Sequence, residues 1–183
     1  MGSVRFDRRG QVIVRVPRLA ALFLLLLCQP AALAQEGSIA EARLTWYGVY
    51  RANDDSIVKD DGALLGERTV STGIEAPTTN SDRISALLHT RFGFGFTLSG
   101  EPAGRLVRLR WVRSFPPPGL TSSKTGERHL REESEIVVRA GDRNLFVGYL
   151  FDANEELAPG PWSFELWQGD RELLEKSFVV YRP

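Results

Sequence analysis

Only one cysteine, Cys28, and two histidines, His89 and His129, occur in 183 residues. Cys28 falls inside the first 34 residues, which read as a removable leader, so the chain beyond them has no thiol. That excludes disulfides, a cysteine-based metal centre and a thiol nucleophile in the folded protein. The two histidines stand alone, without HxH or HExxH spacing, and are read as surface or capping residues rather than metal ligands. No G-x-S-x-G elbow and no phosphate-binding G-x-x-x-x-G-K-[ST] loop are present. Arg91-Phe92-Gly93-Phe94-Gly95-Phe96 lacks the third glycine and the following helix of a dinucleotide fingerprint. Composition leaves a dispersed Ser-His-Asp triad open, so an uncharacterised hydrolase remains the minor alternative. The expectation is a protein that is not an enzyme and needs no cofactor. The neighbouring carboxylates Glu155 and Glu156 are read as solvating the turn before Pro159.

Long apolar runs are scarce too. Leu19–Leu27 spans about nine residues, against the ~20 that a bilayer requires. Arg5, Arg8, Arg9, Arg15 and Arg18 surround or precede it, and Ala32-Leu33-Ala34 follows as a small-x-small cleavage signal. This is the pattern of a secretory signal peptide cut after Ala34, leaving Gln35 as the new N-terminus. An uncleaved anchor is the alternative. A lipoprotein fits poorly, because Leu27 rather than a small residue precedes Cys28. The protein is therefore expected in the periplasm or outside the cell, with no stable membrane insertion after cleavage.

Loss of residues 1–34 leaves 18 basic and 22 acidic groups, a net charge of −4 over 149 residues. A mildly acidic surface argues against nucleic acid, whose phosphates need clustered Lys and Arg. It argues equally against anionic membranes. A chain of this size buries roughly two thirds of its unfolded surface, so one domain over 40–183, after a short tether at 35–39, holds without staples.

What the chain does have is period-2 alternation. Trp162-Phe164-Leu166 and Leu174-Phe178-Val180 flank Gln168-Gly169-Asp170-Arg171, a β-hairpin signature. Ala40–Tyr50 reads as a first strand and Leu64–Thr72 as a second. Between them Asn53–Gly62 is acidic and turn-prone. Its aspartates lack the spacing of a calcium loop, and a solvated loop is expected. Phe92, Phe94, Phe96 and Leu98 alternate with Gly93, Gly95 and Thr97. Glycine inside a strand marks the close approach of another backbone, a ring or a ligand, and a packed aromatic from a neighbouring strand is the preferred explanation. Leu106–Phe115 is a further strand. Pro116–Glu133 is a polar connection that buries too little to order itself. Ile136-Val137-Val138 and Asn144–Phe151 complete the pattern, the latter as a central or sandwich-core strand. About seven short strands without helical periodicity predict an all-β, antiparallel β-sandwich of immunoglobulin-like size; a lipocalin-like barrel is the runner-up.

Candidate binding residues come from the surface faces of these strands. Trp167 falls on the opposite register from Trp162, beside Glu165, where it could stack on a sugar ring or enter a partner's pocket. Arg108, Arg110 and Arg113, with Arg105, form a basic stripe suited to an anionic glycan or an acidic partner. The leading expectation is a non-enzymatic module that binds an envelope protein or polysaccharide. Carbohydrate recognition through Trp167 and the arginines is the alternative.

The Phe/Gly strand, Pro116-Pro117 after a Trp-bearing strand, Gly148-Tyr149-Leu150-Phe151, Glu156-Leu157-Ala158-Pro159-Gly160-Pro161-Trp162 and the closing Phe178-x-Val180 together resemble a family of exported bacterial proteins known as a domain of unknown function. The resemblance covers about residues 40–180. It implies an immunoglobulin-like sandwich and export, and it brings no catalytic residues with it.

The leader makes one direct prediction. N-terminal sequencing of the protein recovered outside the cytoplasm should begin at Gln35, and Ala34→Lys should leave the uncut chain; a start at Met1 in the exported fraction would show an anchor instead.

Overall fold

The computed structural model describes residues 37–59, 67–122 and 125–183. The leader and its cleavage residues Ala32, Ala34 and Gln35 lie outside them. Two facing sheets carry the architecture. The smaller contains β1 (Ser38–Val49), β5 (Arg91–Glu101) and β10 (Leu145–Leu150), in the order β1-β5-β10. The larger contains β4 (Arg83–Ser85), β6 (Leu106–Ser114), β9 (Arg131–Arg139), β11 (Gly160–Gln168) and β12 (Arg171–Tyr181), in the order β4-β12-β11-β6-β9. All pairings in these sheets are antiparallel except β4 with β12. Two ribbons stand apart, β2 (Asp54–Lys59) with β3 (Glu67–Thr72) and β7 (Leu120–Thr121) with β8 (Arg128–His129). Among the described residues a single 3-10 turn covers Asn154–Glu156. No helix among the described residues is long and apolar enough to cross a membrane.

The alternation of β5 decides the core. Phe92, Phe94 and Phe96 are fully buried on the face toward the larger sheet. The ring of Phe92 meets Phe164 at 5.4 Å and Phe178 at 5.3 Å, so β5 interlocks directly with β11 and β12. Trp162 approaches the same ring edge-on at 5.6 Å and donates its indole N–H to the Ala158 carbonyl at 2.9 Å. Edge-on aromatic pairs of this kind add about 0.5–1.5 kcal/mol each beyond their burial. Behind β5 the glycines leave room. Trp46 from β1 lies over Gly95, as the sequence suggested, whereas Gly93 faces the backbone of Val147 and Gly148 instead of a ring.

The expected hairpin is present, with Trp162 opposite Phe178, Phe164 opposite Lys176 and Leu166 opposite Leu174. Gly169 takes a left-handed φ of 57° in its two-residue turn. Three expectations need correction. The supposed tether enters the fold, since β1 begins at Ser38 and Ile39 is fully buried. Its backbone is held by the side chain of Gln168, which accepts from Ile39 N–H at 2.9 Å and donates to the Gly37 carbonyl at 2.8 Å, and by Arg171 on the Ile39 carbonyl. The acidic segment after Asn53 is not a loop throughout, because Asp54–Lys59 pairs with β3; 60–62 lies outside the described residues. The polar connection 116–133 is partly built, since β7 and β8 pair, Leu120 is buried, and β9 already begins at Arg131. Of the two readings of Asn144–Phe151, the sandwich-core strand is the one found: β10 flanks β5, the central strand of its sheet, with Val147 and Tyr149 in the core.

Trp162→Ala should cost about 3–5 kcal/mol, because a fully enclosed aromatic leaves a cavity, while partly buried Trp167→Ala should cost far less. Equal losses of stability in chemical denaturation would contradict this packing.

Candidate functional site

On β6 the period-2 rule sends Val107, Leu109 and Trp111 inward and Arg108 and Arg110 outward. The outward arginines meet acids of β9. Arg108 Nη1 lies 2.6 Å from Glu135 Oε1, and Arg110 Nε lies 3.8 Å from Glu133 Oε2. On its other side Arg110 is opposite Trp167 in register, its guanidinium carbon 5.4 Å from the ring centre. Trp167 donates its indole N–H to Glu165 at 2.8 Å. Arg108, Arg110, Glu133, Glu135 and Gln168 line a surface groove of about 470 Å³. The structure thus brings Trp167, Arg108 and Arg110 to one place, but as a face of mixed sign rather than a bare basic stripe. Such solvent-exposed ion pairs contribute ~0–1 kcal/mol each, so they shape the surface more than they hold it.

Arg113 does not join them. It shares the parity of Trp111 and therefore points inward, where only 7% of it is exposed. Its guanidinium pairs with the equally buried Glu132 at 3.3 Å, donates to the Ser134 hydroxyl and covers the Trp111 ring at 4.1 Å. Parity was the signal available in the sequence; grouping the arginines by charge obscured it. A buried pair of this kind orients more than it stabilises, yet removal of one member typically costs ~3–5 kcal/mol by stranding the other charge.

Beside this pair lies a second correction. Glu155 is exposed as expected, but Glu156 is buried and does not solvate the turn. Its Oε1 accepts from the Tyr149 hydroxyl at 2.7 Å, and its Oε2 accepts from the N–H groups of Asp152 at 2.7 Å and Ala153 at 3.1 Å. Burial raises the Glu156 carboxyl above its usual range, while these donors pull it back. Burial also raises the Tyr149 hydroxyl well above its ordinary value, and the charge and hydrogen bond of Glu156 add to the effect. With its acceptor sites engaged by protein donors, this carboxyl clamps the 152–156 turn to β10.

Neither imidazole has a hydrogen-bond partner among the described residues. His89 is exposed with a left-handed φ of 64°, and His129 pairs through its strand with Leu120. No group of three or more His, Cys, Asp or Glu able to hold a metal ion occurs among the described residues.

The outer face of the smaller sheet carries a surface that the sequence reading did not nominate. Trp46 and Phe146 sit opposite Gly95, one on each flanking strand, and Tyr50 lies between them at 5.8 Å and 6.0 Å. Its signal was the Phe/Gly alternation, which left that face of β5 bare. Tyr50 is buried enough that its hydroxyl is pushed up to about 12, with Arg91 opposing the shift and Asp55 adding to it.

Two mainly antiparallel sheets closed over one aromatic core, with surface clefts on their outer faces, define an immunoglobulin-like β-sandwich. The 1.50 Å crystal structure of an immunoglobulin-like protein (PA1606) from Pseudomonas aeruginosa is similar, with 27% identity and a TM-score of 0.55 over 78% of this chain and 98% of that one. The family described as domain of unknown function DUF3859 matches residues 39–180, and the chain belongs to it. No curated protein matches the chain.

Because Glu156 holds its proton more tightly folded than unfolded, the folded state binds more protons above the ordinary carboxylate range. Its contribution to stability is greatest at acid pH and is lost as pH rises through the raised value. Denaturation midpoints across that window should fall with pH in the native protein, and Glu156→Gln should remove that component of the fall. An unchanged pH slope would contradict the assignment.

Proposed function

We propose that the protein is an exported, non-enzymatic binding module that engages a polypeptide of the cell envelope through the groove on the larger sheet. One observation carries the reading: Arg110 lies over Trp167 at the wall of a groove lined by both arginines and glutamates. A polypeptide presents donors and acceptors together, and such a surface matches both, whereas an anionic polymer would meet Glu133, Glu135 and Glu165. Trp and Arg are also the side chains most often found as interface anchors. Export is supported by the leader pattern and the cysteine-free chain beyond it, consistent with the periplasm or the exterior. The hydrolase alternative gains no support from the histidines, which lack hydrogen-bond partners among the described residues. Sugar stacking on Trp167 is weakened, because Arg110 already lies over that ring.

A crosslinking pull-down of the tagged protein from its own envelope, read by mass spectrometry, tests the reading. One dominant protein should be captured, and Arg110→Glu and Trp167→Ala should each reduce its recovery at least about tenfold while leaving the fold intact. Recovery unchanged in both variants, or retention on polysaccharide alone, would overturn it.

A further inference from the structure

We propose that the outer face of the smaller sheet binds a neutral saccharide, with Trp46 as the stacking platform and the adjoining cleft beside Tyr50 as the seat for sugar hydroxyls. This site is on a different sheet from the polypeptide groove and stands independently of it.

The platform is built by subtraction. A solvated sheet face ordinarily carries polar side chains. Here the middle of β5, between Arg91 and Thr97, offers only Gly93 and Gly95, and β10 sets Gly148 opposite Gly93, so rings from the flanking strands settle on backbone. The pyrrole edge of Trp46 occupies the space that a Gly95 side chain would fill, and the Tyr50 hydroxyl lies 2.6 Å from where a Gly148 side chain would begin. Trp46 is only partly buried, and its indole N–H has no hydrogen-bond partner among the described residues. It therefore presents aromatic surface, while its N–H edge rests over Gly95.

Tyr50 connects this platform to a cleft of about 400 Å³, within the usual ~300–1,000 Å³ of small-ligand sites. Arg51, Glu75, Thr78 and Thr79 line it with Tyr50. The rim is held in place. Arg51 and Glu75 exchange backbone hydrogen bonds at 3.2 Å and 3.0 Å, Asn80 Oδ1 accepts from Tyr47 N–H at 3.0 Å, and Ser81 N–H donates to the Tyr47 carbonyl at 3.3 Å. Fixed groups lose little freedom on binding, which favours even a small ligand.

The chemistry selects the occupant. A pyranose has a face of C–H groups, which the electron-rich face of an indole attracts, and a perimeter of hydroxyls that need donors and acceptors together. The cleft supplies two threonine hydroxyls, one guanidinium and one carboxylate, so its charge balances. An anionic polymer would gain no net attraction here, since the lining holds one cation and one anion, Arg51 and Glu75, and Arg91 close to Tyr50 is already paired with Asp55. A membrane would need a basic rim, which is missing for the same reason.

Titration of the purified protein with cellotetraose, chitotetraose and maltotetraose, followed by the NMR resonances of the indole N–H groups, tests this site. At least one sugar should shift the Trp46 resonance saturably, at concentrations up to ~10 mM. Trp46→Leu should weaken that binding at least about tenfold, and Thr79→Ala should weaken it several-fold, while Trp167→Leu should leave it unchanged. Should Trp46→Leu fail to fold, Phe146→Ala and Glu75→Gln take its place. No Trp46 shift with any of the three sugars, or a shift centred on Trp167, would overturn the proposal. Either result leaves the outcome of the envelope pull-down unaffected.

Discussion

Everything in this fold leans on the ring of Phe92. It is fully buried, it projects from the central strand of the smaller sheet, and it contacts rings from β11 and β12 of the larger one. Tyr149 and Phe151 pack on it from the β10 side at 6.2 Å and 5.1 Å. One aromatic side chain thus ties both sheets and the β10 connection into a single close-packed centre. That is how a chain without a disulfide across its sheets keeps them in register. Interiors of this density tolerate little change in volume, so the strands cannot slide without breaking these contacts.

The same strand explains why the two surfaces of the molecule differ. Period-2 geometry that sends Phe92, Phe94 and Phe96 inward must send Gly93 and Gly95 outward, so a rigid aromatic core on one side is paired with a bare backbone on the other. The larger sheet solves its outer face differently. Its arginines and glutamates alternate across β6 and β9, an arrangement that keeps the exposed face soluble and gives it both signs of charge. Each outer face thus takes its chemistry from what the inner face of its sheet requires.

What could be read from the chain beforehand follows the strength of that periodicity. The hairpin, β5 and β6 were legible because apolar side chains recur at every second position and burial enforces the repeat. β2 was not, since every residue of Asp54–Lys59 is exposed and exposure imposes no pattern. The position of Ile39 depended on Gln168, 129 residues away, and no local signal carries a contact of that separation. Glu156 looked like a solvated loop residue although its partners, the N–H groups of Asp152 and Ala153 and the Tyr149 hydroxyl, lie within seven residues of it; Ala153, where a Ser or Thr would mark a capping box, gave no signal. Arg113 is the different case. Its parity with Trp111 placed it inside from the start, and the charge of the side chain argued against a conclusion that the geometry required.

Gln168 shows how closely surface and fold are joined. It lines the groove of the larger sheet, and the same side chain closes the backbone hydrogen bonds at the start of β1. Exposed strand edges invite pairing with other chains, and this amide, with Arg171, occupies the edge of β1 as a short strand would. A ligand in the groove would therefore touch a residue whose hydrogen bonds are already committed to holding the two sheets together. Gln168 can present only what those bonds leave free, and its removal would loosen β1 along with the groove. Arg110 and Trp167 carry no such burden: their contacts lie within the outer face, so their loss separates recognition from folding.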